Sequence, residues 1–308
     1  MTTGSAGWDG QGLPPAAAAR IERARRDRIR TSLTGIGGLA ALGHGDLGDA
    51  AFHPVGEVMG AIVEHIGWEG WGGCGYVSNY GGFAIPSPGT FGSTRQGAVG
   101  GGFGGYRPYV QALYRGWETA LHRMLLEAQA LGADGVVGVR WTWQRLTEGD
   151  NREFTAMGTA VRSGAAYRPK ALFATDLPAS DVTKLLMSGH APVGMAVGIS
   201  VSVRHDDWAT RQQARSFSAS NTEVSGYTEL VNFARNEARD EFQRRVGRAG
   251  GDVAIVSDMG LSVREIEQGE RHRDHVAEAT IVGTAVTSSA RAATPIGAGS
   301  RLSVLPLK

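Results

Sequence analysis

Apolar and polar positions alternate along this chain in two rhythms, steps of three and four residues that predict helices and steps of two that predict strands. Between Pro108 and Leu131, Val110, Leu113, Tyr114, Trp117, Leu121, Met124, Leu125 and Ala128 fall on one broad helical face. Gly132 stands where a left-handed C-cap belongs. After Asp134-Gly135 the period becomes two. Val137, Val139, Trp141 and Trp143 are expected on one side, and Val136, Gly138, Arg140 and Thr142 on the other. A polar turn from Arg145 to Arg152 leads to a strand over Phe154–Arg162. Upstream, Pro54–Ile66 has the β-branched and glycine pattern of a buried strand. Pro14–Arg30 reads as an added N-terminal helix begun by proline, with a short apolar segment over Leu33–Leu42 behind it.

The same order then returns. A short helix is predicted over Leu177–Ser188, with Ser180 and Asp181 as its caps. A strand over Pro192–His205 follows, then a long helix over Gly226–Arg248 with Tyr227, Leu230, Val231, Ala234, Ala238, Phe242 and Val246 on one face. Gly250-Gly251 ends it, Asp252 opens a strand to Val263, and after a polar turn a last strand covers Val276–Thr287. Three segments match in order: Pro54-Val55-Gly56 and Gly60 with Pro192-Val193-Gly194 and Gly198, Asp134 with Asp252, and Met157–Val161 with Val282–Val286. Matched segments on matched elements predict an internal repeat. The expected units are an arm and basic helix at 1–33, a first copy at 34–165, a second at 171–287, and a flexible tail at 288–308.

The first copy is interrupted at 67–105 by a stretch rich in glycine and aromatic residues, Trp71 and Tyr76 among them. Glycine totals 46 of 308 residues, roughly twice its usual share of about 7%. Aromatic side chains spaced by glycines suit an adaptable contact surface for a protein partner. The chain carries a net charge of +1, which argues against general nucleic-acid binding. Its one cysteine, Cys74, excludes a disulfide framework within the chain. With no signal-peptide pattern and no apolar run of membrane-spanning length, a cytoplasmic location is expected.

LEAQALGADGVVGVRW followed by FTAMGTAVR resembles the YbjQ-like family of heavy-metal-binding domains, in which a helix ending ALGA-[ND]-x-VVGVR precedes a strand ending x-GTAV. The second copy matches more loosely through Arg248–Val253 and VGTAV. The resemblance implies an α+β fold of tandem β-α-β-β domains. Each would have a dodecin-subunit-like three-stranded antiparallel sheet under one long helix. It also implies assembly into pentameric rings, and no catalytic residues.

No nucleophile, P-loop or zinc-protease motif stands out, so an enzyme has no support. Gly100, Gly102 and Gly105 satisfy G-x-G-x-x-G, but no strand precedes them as dinucleotide binding requires. No cofactor is assigned. The candidate ligands for a divalent metal ion are His205 and Asp207 at a strand end with His272 and His275 in a turn, if those places meet. The alternative is solvent-exposed turn residues. Aligning Asp134 with Asp252 makes Arg140 and Asp258 equivalent, charges of opposite sign within strands and candidates for a contact between copies or subunits. The sequence therefore points to a non-enzymatic homo-oligomer. A small-ligand, flavin-type binder is the alternative, with Trp141 or Trp143 as stacking candidates.

Overall fold

The computed structural model describes residues 8, 12–26, 52–66, 107–146, 151–164, 168–206, 208–215, 223–267 and 273–292. The segment 33–42, the glycine–aromatic stretch and the tail from 293 lie outside them. The described elements are α1 (Pro15–Arg26), β1 (Phe52–His65), α2 (Arg107–Ala130), β2 (Gly135–Arg145), β3 (Asn151–Ser163), β4 (Phe173–Ala174), α3 (Ala179–Met187), β5 (His190–His205), α4 (Trp208–Arg215), α5 (Ser225–Arg248), β6 (Val253–Glu267), β7 (Arg273–Ser288) and α6 (Ser289–Ala292).

The fold is α+β, with strands ordered β1-β3-β2-β4 in one sheet and β5-β7-β6 in the other. In each, the strand before the long helix pairs antiparallel with the last strand, which lies in the middle. Irregularities fall at corresponding places, between Pro54 and Gly56 and between Pro192 and Gly194, then between Val137 and Arg140 and between Val256 and Asp258. Gly60 and Gly198 hold the helices close. A Cβ built on Gly60 would lie 2.0 Å from the Ala120 carbonyl oxygen, and one on Gly198 would lie 2.0 Å from that of Ala238.

Three local expectations need correction. Strict alternation fails in β2, because Gly138 takes φ 62° at the irregularity and shifts the side-chain phase. Val136 and Val139 lie against Gly158 on the helix side, while Val137 joins Phe52, Val161 and Phe173 on the opposite side. The short helix α3 is not capped by Ser180 or Asp181. Its N-cap is Pro178, without a side-chain bond, and Asp181 pairs instead with Lys184. The first sheet has four strands, because Phe173-Ala174 adds β4 parallel to β2, a strand too short to show a period.

Each sheet has a helix face and a back face, and the back faces differ. On β7, Val276, Glu278, Val282 and Thr284 point to the back and are buried, as are Val197, Ile199 and Val201 on β5. One core cluster joins these valines to Trp117, Met124, Val139 and Phe154 of the first half. Strands β5 and β7 are thus covered on both sides, by α5 and by the first half. On the back of the first sheet Val137 and Val161 are buried with Phe173, Ala179 and Val182, and Thr159 is buried as well, whereas Met59, Ala61, Val63, Glu153, Thr155 and Met157 are partly or fully exposed.

Candidate functional site

The junction between the halves is built by α2. Tyr109 Oη donates to Glu278 at 2.8 Å across it. Tyr114 Oη meets the β5 edge, accepting from Ile199 N–H at 2.7 Å and facing its carbonyl oxygen at 3.3 Å. Arg245 of α5 binds Glu118 at 2.7 Å, with its guanidinium 3.6 Å from the centre of the Tyr114 ring. Further along, Thr175 and Thr284 hydroxyls lie 2.7 Å apart, and Thr284 also donates to Asp176. Side chains close the β1 edge as well: Glu127 accepts from Met59 N–H, while Arg20 of α1 reaches the Met59 carbonyl and Arg123 that of Ala61. Edge strands closed in this way are poor templates for further strand pairing.

Burial pushes the Tyr109 hydroxyl up to about 12, with the Glu278 carboxylate adding to it, and burial raises Tyr114 to about 12. A folded value above the unfolded one near 10 means that both neutral hydroxyls stabilise the junction fully below pH 10. That contribution falls away as pH rises from 10 through about 12. Tyrosinate absorbance should therefore show a late-ionising component in wild type that Tyr109→Phe with Tyr114→Phe removes. Ionisation of all seven tyrosines in one ordinary step would contradict the geometry.

Two apolar surfaces stay open. Helix α5 lies over β5 and β7, so the helix side of β6 is uncovered. Val256, Met259 and Val263 there are 48%, 61% and 47% exposed. With Phe242, Val246 and Ile281, Val256 and Met259 border a groove of about 490 Å³, edged by Arg239 and Asp252. The second surface is the back of the first sheet, where Val63 is 54% exposed.

A polar cluster ends the second sheet. The β5–β7 register sets His205 opposite Asp274 and Arg204 opposite His275, so the strand ends that carry the two groupings lie side by side. The described contact there is made by Asp206. His275 Nδ1 lies 3.1 Å from Asp206 Oδ1, Tyr227 donates to Asp206 Oδ2 at 3.1 Å, and the Tyr227 and His275 rings are 4.4 Å apart. Arg204 binds Glu229 at 2.6 Å beside it. Asp207 and His272 lie outside the described residues, as do Trp71, Cys74 and Tyr76. Arg140 and Asp258 are both exposed on back faces, and among the described residues they do not pair with each other. Trp141 is packed edge-on to Trp117 and stacked near Phe154, each 6.5 Å away between ring centres, which makes it a core residue. Trp143 lies under the Arg152 guanidinium.

Residues 90–164 match a protein family described as "Putative heavy-metal-binding". A protein of Mycobacterium tuberculosis named Encapsulin nanocompartment protein Rv1762c is 32% identical over 259 residues, which cover 81% of this chain and 84% of that protein. Proteins named UPF0145 from Vibrio campbellii and Halorubrum lacusprofundi are 39% and 41% identical over 59 residues, 19% of this chain and 56% of each of theirs. No solved structure matches. Among the described residues, no helix is long and apolar enough to cross a membrane.

Proposed function

This chain belongs to the family of the mycobacterial nanocompartment protein, and from that membership we propose that it is a non-enzymatic protein whose copies assemble into a closed homo-oligomer. The observation that carries the reading is the difference between the two halves. The back of β5 and β7 is buried inside the chain, while the part of the first sheet's back that carries Val63 and the groove beside β6 are left open with apolar side chains. Open apolar patches of this kind mark contact surfaces. The relative's name, a component of a nanocompartment, supports assembly over catalysis. The two halves are read as tandem copies of one YbjQ-like domain, so each chain brings two such units to a ring. A ring of whole chains then holds an even number of units, five chains giving ten, and a ring of five single domains is closed to it.

The family description names heavy metals, and the described residues do not fit such an ion. His275 and Asp206 supply one imidazole and one carboxylate, Glu265 stands off at 3.9 Å from the other ring nitrogen, and among the described residues no group of three or more ligands converges. A tetrahedral soft-metal site needs three or four. The pair is satisfied by Tyr227 and serves to tie β7 to α5. Light scattering on the size-excluded protein tests the proposal. The mass of several chains is expected, and a monomer at every concentration would defeat it.

A further inference from the structure

The junction inside one chain is a template for the contact between chains. Helix α2 and β2 of the first half present Trp117, Val139 and Trp141 to the back of the second sheet, where Val197, Val201 and Val282 are buried. Both sides of that junction have counterparts with exposed apolar side chains, Val256, Met259 and Val263 on β6 and Val63 on β1. The glycine contacts align Ala120 with Ala238 and Met124 with Phe242, and Gly132 with Gly250, both at positive φ. In the same alignment Met259 stands for Trp141, each opposite a helix-side residue of the central strand, Ile281 and Ala156. Val63 stands for Val201, and Met157 for Val282. The groove of α5 and β6 therefore holds the place of the surface that grips, with the exposed Arg235 where the first half has Trp117, and the back of the first sheet holds the place of the surface that is gripped.

Resting on the reading of the chain as a self-assembling protein, we infer that the α5–β6 groove of one copy receives the back of the first sheet of the next. Val256, Met259 and Val263 cover Met59, Val63 and Met157 in that contact. The charges agree with it. Arg239 edges the groove, whose Asp252 is paired with Arg291, while Glu57 and Glu153 share the back face with the apolar row. Helix α1 fastens the outer edge of β1 through Arg20 and leaves Val63 exposed beside it. Asp258 lies on the side of β6 away from the groove, so this contact does not pair it with Arg140. The two surfaces differ, so the contact is heterologous, and successive copies close into a ring when the rotation allows.

A mixing experiment tests this contact. Val63 and Met259 are exposed, so Val63→Glu and Met259→Glu leave the folded core untouched and each destroys one side of the contact. Each variant alone is expected to be monomeric at a concentration where wild type is oligomeric. A one-to-one mixture is expected to form a heterodimer and nothing larger, since the intact groove of Val63→Glu meets the intact back face of Met259→Glu. A mixture that stays monomeric, or single variants that keep the wild-type mass, would overturn this contact while leaving self-assembly standing. A wild-type monomer would defeat both.

Discussion

Gly198→Val is expected to unfold the second half or to lower its stability by more than the roughly 3 kcal/mol that marks the upper end of ordinary overpacking. The first added carbon would lie 2.0 Å from the Ala238 carbonyl oxygen and 2.9 Å from Phe242 N. Both are backbone atoms of α5, so no rotamer change gives relief and the helix must lift from its sheet. Gly60→Val should do the same in the first half, where the obstacles are Ala120 O at 2.0 Å and Met124 N at 2.5 Å. Urea unfolding monitored by circular dichroism measures the loss. A midpoint near wild type would show that the helices do not sit this close.

Trp117→Ala should cost about 3–5 kcal/mol, the range for removing a large aromatic side chain from a core. Trp117 is 4% exposed and packs edge-on to Trp141 in the cluster that also contains Val197, Ile199 and Val282. Its loss therefore opens a cavity shared by both halves and not one inside a single domain. Hydrogen exchange should rise in β5 and β7 as well as in α2, and urea unfolding should begin earlier. Exchange that changes only within residues 107–163 would mean that the halves fold independently and that the junction carries little energy.

The long elements are readable because period and punctuation agree over many residues. The helix predicted over Pro108–Leu131 is α2, Arg107–Ala130, and Gly132 does stand at its end with φ 70°. Parts of the fold that depend on one residue are harder to read. Gly138 looks like any small strand residue until its positive φ shifts the phase of β2, although a glycine inside a strand is itself a sign of irregularity. The two-sided burial of β5 left a signal that alternation alone misses. Ala196, Gly198, Ser200 and Ser202 are small and face α5, whereas Met195, Val197, Ile199, Val201 and Val203 are large and face away from it. A row of large residues opposite a row of small ones says that the larger contact lies on the far side. That the end of β5 lies beside the start of β7 could not be read without their register, and that register brings His275 to Asp206 and Tyr227 through geometry that spacing does not contain.

The proposed contact joins two unlike surfaces, and such a contact either closes into a ring of fixed size or continues without limit. Native mass spectrometry of the full chain across a dilution series tests this most directly. One discrete species of several chains, replaced by monomer on dilution with few intermediates, is the expected result. A monomer at all concentrations, or an open ladder of ever larger species, would contradict closed self-assembly.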